Sequence, residues 1–153
     1  MKKPYHFFFG LLIAVCPALT ISCTPGACFE ETNAYLKATF YSNTSKEKKT
    51  PESLTLFGLN NTDTIYNKKS GIQPALFPLD ASSGSCTFII RINNVTDTMH
   101  IFYSSYPHLI SKECGYTFYH KLDTAYTTGN AFYIYKNSNN ITTTNEENIR
   151  IFY

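Results

Sequence analysis

Residues 86–93 read CTFIIRIN, and this segment gives the clearest indication of fold class in the chain. Every second residue from Cys86 to Ile92 is apolar, whereas polar side chains dominate the positions between them. Successive side chains of a β-strand point to opposite faces of the sheet. The alternation therefore predicts a strand with one face buried in a core and the other face near solvent.

The same period of two recurs in other segments. In YLKATFY, residues 35–41, the side chains of Leu36, Ala38 and Phe40 share a face opposite polar residues, which predicts a half-buried strand. CGYTFYHKL, residues 114–122, alternates in the same way. Shorter runs rich in β-branched and aromatic residues, which favour strands, complete a predicted set of about seven to nine: SLTLFGL, DTIY, DTMHIFY, AFYIYK and NIRIFY.

Turn-forming residues separate the predicted strands. The pairs Asn60-Asn61, Asn93-Asn94 and Gly129-Asn130 tolerate the positive φ angles of tight turns, and residues 78–85 and 136–148 resemble longer loops. Strands spaced about 8 to 12 residues apart and joined by such turns are typical of antiparallel all-β folds. We therefore predict an antiparallel β-sandwich of immunoglobulin-like or related Greek-key topology.

The N-terminal segment has the layout of a secretory signal. Two lysines open the chain, the apolar run FFFGLLIAV follows at residues 7–15, and a small residue, Ser22, stands directly before Cys23. A membrane-spanning helix needs roughly 20 apolar residues, and this run is shorter. We predict that residues 1–22 are a signal peptide and that residues 28–153 form a single domain.

Cys23 is the predicted site of lipid attachment. Bacterial lipoprotein signals end in a small residue followed by a cysteine that receives acyl chains such as palmitate, and Ser22-Cys23 fits this pattern, although Thr20 stands where leucine is usual. Cleavage that leaves Cys23 unmodified, and releases a free secreted protein, is the alternative. Several acyl chains hold a protein firmly to a membrane. We therefore expect a protein tethered to a bacterial cell envelope, at the outer membrane, with residues 23–27 as the lipidated cysteine and a short stalk.

The charge balance argues against a nucleic-acid partner. The chain has 13 lysine and arginine residues and 11 aspartate and glutamate residues, and the predicted signal peptide removes two of the lysines. A nucleic-acid binder would show a basic excess collected on one face. A mature chain of about 130 residues is long enough to bury a core of its own.

Three cysteines remain after Cys23, an odd number for an oxidising compartment. Cys28 and Cys114 each precede a predicted strand, and we predict a disulfide between them, with Cys86 as a buried free thiol. A bridge between Cys86 and Cys114 is the alternative. Mass spectrometry of a non-reduced digest distinguishes the two.

Catalytic and metal-binding patterns are absent from the sequence. Cys114 and His120 share a strand face but would lie about 20 Å apart along it, too far for proton transfer. A cysteine could still meet His100 or His108 across strands, which keeps a cysteine-dependent hydrolase open as a minor alternative. The histidines and cysteines lack metal-type spacings, and no glycine-rich phosphate loop is present. We predict no catalytic residue, no metal and no cofactor.

Aromatic residues are the remaining candidates for function, because phenylalanine and tyrosine occur twelve times each. Exposed tyrosines can stack on sugars or line a protein-binding surface, although tyrosine is also a common residue of antiparallel sheets. Five tyrosines lie on strand faces opposite the predicted core or on mixed faces, and we predict them as candidate binding-face residues: Tyr35, Tyr41, Tyr119, Tyr133 and Tyr135.

Four segments carry a family resemblance: CFEETNAYLK (28–37), FPLDASSGSCTFII (77–90), SSYPHLISKECGYTFYHKLDT (104–124) and ITTTNEENIRIFY (141–153). They resemble a domain-of-unknown-function family of small predicted lipoproteins from the Bacteroidales. The resemblance implies a tethered envelope protein and brings no catalytic residue. We expect a lipid-anchored, non-catalytic binding or accessory module with an unknown protein or glycan partner. A structural or assembly component of an envelope complex is the alternative.

Overall fold

The computed structural model describes residues 28–59 and 63–153. The predicted signal peptide, Cys23, the stalk and the Asn60-Asn61 turn lie outside the described residues. Strands make up all the regular structure of the described part: β1 (Leu36–Tyr41), β2 (Leu54–Gly58), β3 (Thr64–Lys69), β4 (Ala75–Phe77), β5 (Ser85–Ile92), β6 (Val95–Ser111), β7 (Gly115–Thr127), β8 (Tyr133–Lys136), β9 (Asn140–Ile141) and β10 (Ile149–Phe152). Over this part, the structure has no helix of the length and hydropathy needed to cross a bilayer.

The strands form two sheets, and the predicted β-sandwich is confirmed. The small sheet has the strand order β4-β1-β10-β8, and the large sheet has the order β3-β2-β5-β6-β7-β9. Among the strands of residues 28–59 and 63–153, the neighbouring pairs are antiparallel except β1 and β10, which run parallel in the middle of the small sheet. The sandwich is thus mostly antiparallel, as predicted, and this pair is the exception. The two strands are the first and last of the domain, so no hairpin turn sets their relative direction.

The inner faces of the two sheets form one hydrophobic core. Phe88, Ile90 and Ile92 of β5 are buried in it, as the alternation of CTFIIRIN predicted, whereas Cys86 is only partly buried. The rings of Phe77 in the small sheet and Phe88 in the large sheet meet edge to face at 5.3 Å. The core therefore joins the two sheets directly.

Strand β1 is buried on both faces, which differs from the predicted half-buried strand. Leu36, Ala38 and Phe40 point into the core. The outward side chains of Lys37 and Tyr41 are covered by the segment between β9 and β10, where Lys37 Nζ donates to the Thr142 carbonyl at 3.2 Å and the Tyr41 hydroxyl donates to Glu147 at 3.1 Å. On the outer side, the ring of Tyr41 packs against Phe152 at 5.3 Å.

The predicted asparagine turns have the expected backbone geometry. Asn93, between β5 and β6, has a φ of 55°, and Asn130, between β7 and β8, also has a φ of 55°. Asparagine tolerates this left-handed conformation better than most residues. The two short strands β4 and β9 were not predicted. β9 lies inside the segment 136–148 that the sequence suggested as a loop.

The hairpin of β6 and β7 is longer than its sequence pattern suggested. β6 runs for 17 residues and continues through Pro107, while β5 pairs with it only as far as Phe102. Pro107 therefore needs no backbone N–H toward β5, which explains how a proline fits within this strand. Beyond Phe102 the hairpin extends past β5 and ends at the turn before Gly115.

Candidate binding surfaces

The N-terminal end of the described chain is tied to the end of the β6–β7 hairpin. Cys28 and Cys114 form a disulfide with their Cα atoms 4.8 Å apart, which agrees with the predicted bridge and not with the alternative through Cys86. The Thr117 hydroxyl also donates a hydrogen bond to the carbonyl oxygen of Thr32. The segment before β1 therefore runs back along β7 from the hairpin end.

Four large apolar side chains are exposed at this end, and we call them the hairpin tip. Phe29 is 92% exposed, Tyr116 75%, and Leu109 and Phe118 47% each. Leu109 and Tyr116 are directly opposite each other in the β6–β7 pairing. Tyr116 and Phe118 lie on the strand face that carries buried Leu122 farther along β7, so the tip is the part of this face that the small sheet does not cover.

A second aromatic cluster, in which Tyr133 and Tyr135 are exposed and Tyr41 is buried, lies on the outer side of the small sheet, and we call it the aromatic face. It consists of Tyr41, Phe152, Tyr133, Tyr135 and Arg150. The strand register produces it. Phe152 pairs with both Tyr41 and Tyr133, and Arg150 pairs with Tyr135.

The aromatic face combines ring–ring contacts centred on Phe152 with a guanidinium group that stacks on two tyrosines. The Phe152 ring lies 5.3 Å from Tyr41 and 5.8 Å from Tyr133. The Arg150 guanidinium carbon lies 5.3 Å from the ring centroid of Tyr41 and 5.8 Å from that of Tyr135. Tyr133 is 61% exposed and Tyr135 47%. The face therefore combines accessible ring surface with a guanidinium group stacked on tyrosines.

Glu147 holds the guanidinium in place. Its carboxylate accepts a hydrogen bond of 2.6 Å from Arg150 Nε and one of 3.1 Å from the Tyr41 hydroxyl. Burial opposes ionisation of Glu147, but the bonds from Arg150, Thr39 and Tyr41 outweigh it and lower the pKa of the carboxyl group. Glu147 is thus an anion at neutral pH, and Arg150 is oriented before any ligand arrives.

The structure brings together three of the five tyrosines proposed from the sequence and separates the other two. Tyr41, Tyr133 and Tyr135 share the aromatic face. Tyr119 lies on the large sheet, where its ring stacks on His108 at 4.0 Å. Tyr35 lines a cavity beside His120. Arg150 and Phe152 were not singled out from the sequence, although both belong to the alternating segment NIRIFY.

The large sheet carries an aromatic strip that sequence reasoning missed. The ring of Tyr126 stacks on His100 at 5.2 Å and on Phe102 at 6.1 Å. Both ring pairs are close to parallel, with interplanar angles of 27° and 11°. The two His100 ring nitrogens lie 3.2 Å from the Thr87 hydroxyl and 2.9 Å from the Thr128 hydroxyl. Tyr126 is 48% exposed and Phe102 39%, so the strip differs from the aromatic face in having no stacked guanidinium group among these contacts and not in its exposed ring surface.

His120 borders a small cavity of about 260 Å³ between the segment before β1, residues 78–81 and β7. Its Nδ1 atom lies 2.8 Å from the Ser105 hydroxyl, and its ring meets Tyr103 edge to face at 5.3 Å. Burial lowers the pKa of His120, so the imidazole is neutral at pH 7. The cavity is too small for most organic ligands but can hold water.

The free thiol of Cys86 borders a larger groove of about 740 Å³. Its sulfur lies 3.0 Å from the Tyr103 hydroxyl, which also donates to the Asp80 carbonyl at 2.8 Å. Burial, followed by the neighbouring Cys86, raises the pKa of Tyr103. Tyr103 thus fixes residues 78–84 against β5 and β6. The side-chain hydrogen-bond partner of the Cys86 thiol is this tyrosine hydroxyl and not a histidine.

The other cysteine and histidine side chains considered for catalysis or metal binding, Cys114, His100 and His108, are engaged in a disulfide or in ring stacking. Cys114 is in the disulfide and has no thiol to act as a nucleophile. His100 and His108 stack on Tyr126 and Tyr119. Within residues 28–59 and 63–153, the structure has no group of three histidine, cysteine, aspartate or glutamate side chains placed to hold a metal ion.

A family model described as a family of unknown function, DUF6452, matches residues 53–153. The chain belongs to this family. The DUF6452 match covers β2 to β10, so it includes the β6–β7 hairpin and most of the aromatic face. It leaves out Cys28 and β1, although β1 is a central strand of the small sheet. Neither a curated protein nor a solved structure matches the chain.

Proposed function

We propose that this DUF6452 protein is a lipid-anchored component of a bacterial cell envelope, of the kind found in the Bacteroidales, that acts as a non-catalytic binding or accessory module. The observation that carries the binding role is the aromatic face. Tyrosine and arginine are among the residues most enriched at binding hot spots. Here Tyr133 and Tyr135 are exposed, and the Tyr135 ring contacts the oriented Arg150.

The aromatic face suits a protein or glycan partner. Tyrosine rings give a large contact area with few rotatable bonds, and their hydroxyls can hydrogen-bond sugar or peptide groups. The ion pair with Glu147 orders Arg150 in advance, which reduces the entropy lost on binding. The position of the face on β8 and β10 also leaves it outside the core that stabilises the domain.

The anchoring role is supported by the sequence around Cys23. A charged start, a short apolar run and a small residue before a cysteine together match a lipoprotein signal. We expect an acylated Cys23 to place the protein at the outer membrane. The mature protein would then sit on the bilayer surface, tethered by residues 24–27.

The anchor is tested by intact-mass spectrometry of the full chain purified from the membranes of a Bacteroidales host. We expect the wild type to start at residue 23 with the added mass of acyl chains, and Cys23→Ser to lose that mass and leave the membrane fraction. Cys86→Ser is the matched control and should stay acylated. An unmodified Cys23 in wild-type protein would overturn the anchor.

The binding face is tested with a matched pair of double variants of the full chain. Tyr133→Ala with Tyr135→Ala truncates the aromatic face, whereas Phe102→Ala with Tyr126→Ala truncates an equally aromatic strip on the other sheet. The probes are purified peptidoglycan and lipopolysaccharide in co-sedimentation, and in-cell photo-cross-linking from position 135 or 126 for a protein partner.

We expect the first double variant to weaken binding at least tenfold, because hot-spot truncations commonly cost about 2 kcal/mol each. The second should bind like wild type. Cross-links should form from position 135 and not from position 126. Equal behaviour of the two double variants, or cross-links from position 126 alone, would contradict the assignment of the face.

A further inference from the structure

The hairpin tip and the predicted anchor lie at the same end of the molecule. Cys23 precedes Cys28 by five positions, and five extended residues span at most about 18 Å. The disulfide holds Cys28 at the turn before β7. β7 itself runs from Gly115 to Thr127, which at about 3.3 Å per residue is up to about 40 Å. A lipid on Cys23 can therefore reach the tip and cannot reach the opposite end of β7.

The tip has the chemistry of a membrane-interface surface. Its side chains are two phenylalanines, a tyrosine and a leucine, and soluble proteins rarely expose such residues together. Aromatic residues are enriched where membrane proteins meet the lipid headgroups, because one end of a tyrosine is apolar and the other is polar. The two charges in the adjacent turn, Lys112 and Glu113, have opposite signs, and the exposed Glu30 and Glu31 follow Phe29, so the charges near the tip are on balance negative. Attraction to anionic lipids therefore cannot hold the tip at a membrane, and any docking must come from apolar contact.

We propose that the hairpin tip docks into the interfacial layer of the bilayer that holds the acylated Cys23. This proposal rests on the lipid anchor of the proposed function. Docking by apolar contact supplies a second attachment and fixes the orientation of the domain. The tip then faces the lipid, and Tyr133, which follows the far end of β7, faces away from it.

The chain contains no tryptophan, so one substitution gives a single fluorescent reporter. Tyr116→Trp places the reporter in the tip, and Tyr133→Trp places the control reporter at an exposed site on the aromatic face. Each full-length acylated protein is reconstituted into phosphatidylcholine vesicles whose acyl chains are brominated near the headgroup. Bromine quenches tryptophan only at close range. The Cys23 acyl mass is measured on the same samples.

We expect tryptophan at position 116 to be quenched at least twofold by the brominated lipid, with a blue-shifted emission, and tryptophan at position 133 to be unaffected. Quenching should persist at about 0.5 M salt, because apolar docking is not screened. Leu109→Trp is a second tip reporter, in case Tyr116→Trp fails to fold, and should behave like it.

The possible outcomes distinguish failure of the tip docking from failure of the lipid anchor. An acylated protein whose tip tryptophans are not quenched by bromine would overturn the docking and leave the anchor standing. A protein with unmodified Cys23 but a quenched tip would support the docking and overturn the anchor. Tip tryptophans shielded from aqueous acrylamide yet unquenched by brominated lipid would show that a second copy or another protein covers the tip, which would also overturn the docking.

Discussion

Replacing Asp97 with asparagine should destabilise the domain by removing a charge that organises a loop. Asp97 is only 4% exposed. Its Oδ1 accepts hydrogen bonds of 2.7 Å from the backbone nitrogens of Thr98 and Gly129, and its Oδ2 accepts one of 2.8 Å from Ala131. One carboxylate therefore fixes the loop between β7 and β8.

The magnitude follows from these three bonds. In Asp97→Asn, the amide oxygen can keep the two bonds at Oδ1, but they become neutral and weaker. The amide NH₂ group then faces the N–H of Ala131, so the third bond is lost and a buried donor is left unpaired. A lost bond to a charged group costs about 1.5–3 kcal/mol. With the weakening of the other two, we expect a loss of about 3 kcal/mol, which for a domain of this size is a fall in Tm of about 10 °C.

The pH dependence gives an independent check. Burial opposes ionisation of Asp97, but the backbone bonds from Gly129, Ala131 and Thr98, and one from the Thr127 hydroxyl, outweigh it and lower the pKa. A carboxyl group whose pKa is lower in the folded state contributes stability above its unfolded pKa of about 3.9 and loses it as the pH falls through the folded pKa. The difference between wild type and Asp97→Asn should therefore shrink below about pH 4.

Urea unfolding followed by circular dichroism at pH 7 and at several lower pH values measures both effects. Asp123→Asn is the matched control, because Asp123 is exposed on β7. It should change the free energy of unfolding by no more than about 0.5 kcal/mol. The reasoning is refuted if Asp97→Asn is as stable as the control variant at pH 7, or if its deficit is the same at pH 7 and pH 3.

Three further substitutions test other parts of the structure by urea unfolding. Gly129→Ala should cost about 1–3 kcal/mol, because its Cβ would lie 2.8 Å from the Asp97 carboxylate. Asn148→Ala should lower the free energy of unfolding by about 2–4 kcal/mol, because the buried Asn148 amide accepts from the backbone nitrogen of Lys37 at 2.9 Å and donates to the Asn140 carbonyl at 2.6 Å. Equal stability of wild type and variant would show that water replaces both bonds. The stability of the wild type should fall as the pH drops below about 6.5, because burial lowers the pKa of His120 and the unfolded state takes up the proton first. His120→Gln should flatten this fall. An unchanged dependence of stability on pH in the variant would show that another group titrates.

Local pattern was enough to predict the strands and several turns. In CTFIIRIN the buried face follows from the alternation alone, and the positive φ of Asn93 follows from residue type. The Cys28–Cys114 bridge could also be proposed, because both cysteines precede strands. The strand and turn predictions depend only on neighbours within a few residues along the chain, whereas the bridge joins residues 86 positions apart and also required that the starts of two strands meet.

The pairing of strands that are far apart in the sequence could not be predicted from local pattern. Ala38 pairs with Ile149, and nothing local to either residue indicates this parallel neighbour. The composition of the aromatic face depends on that register, which explains why Arg150 was missed and why Tyr119 was grouped with tyrosines of the other sheet. The role of Asp97 was also hidden, because two of its three backbone partners, Gly129 and Ala131, lie more than 30 residues away in a loop.

The Asp97 loop also connects stability to the candidate binding surface. Asp97 holds the backbone at Gly129 and Ala131, and Tyr133 follows two residues later at the start of β8. Tyr133 contacts Phe152, which in turn packs on Tyr41. Loosening the loop should therefore displace an exposed ring of the aromatic face while leaving the Cys28–Cys114 end unchanged. Asp97→Asn should weaken ligand binding at temperatures where the variant is still folded, and membrane attachment should remain at the wild-type level.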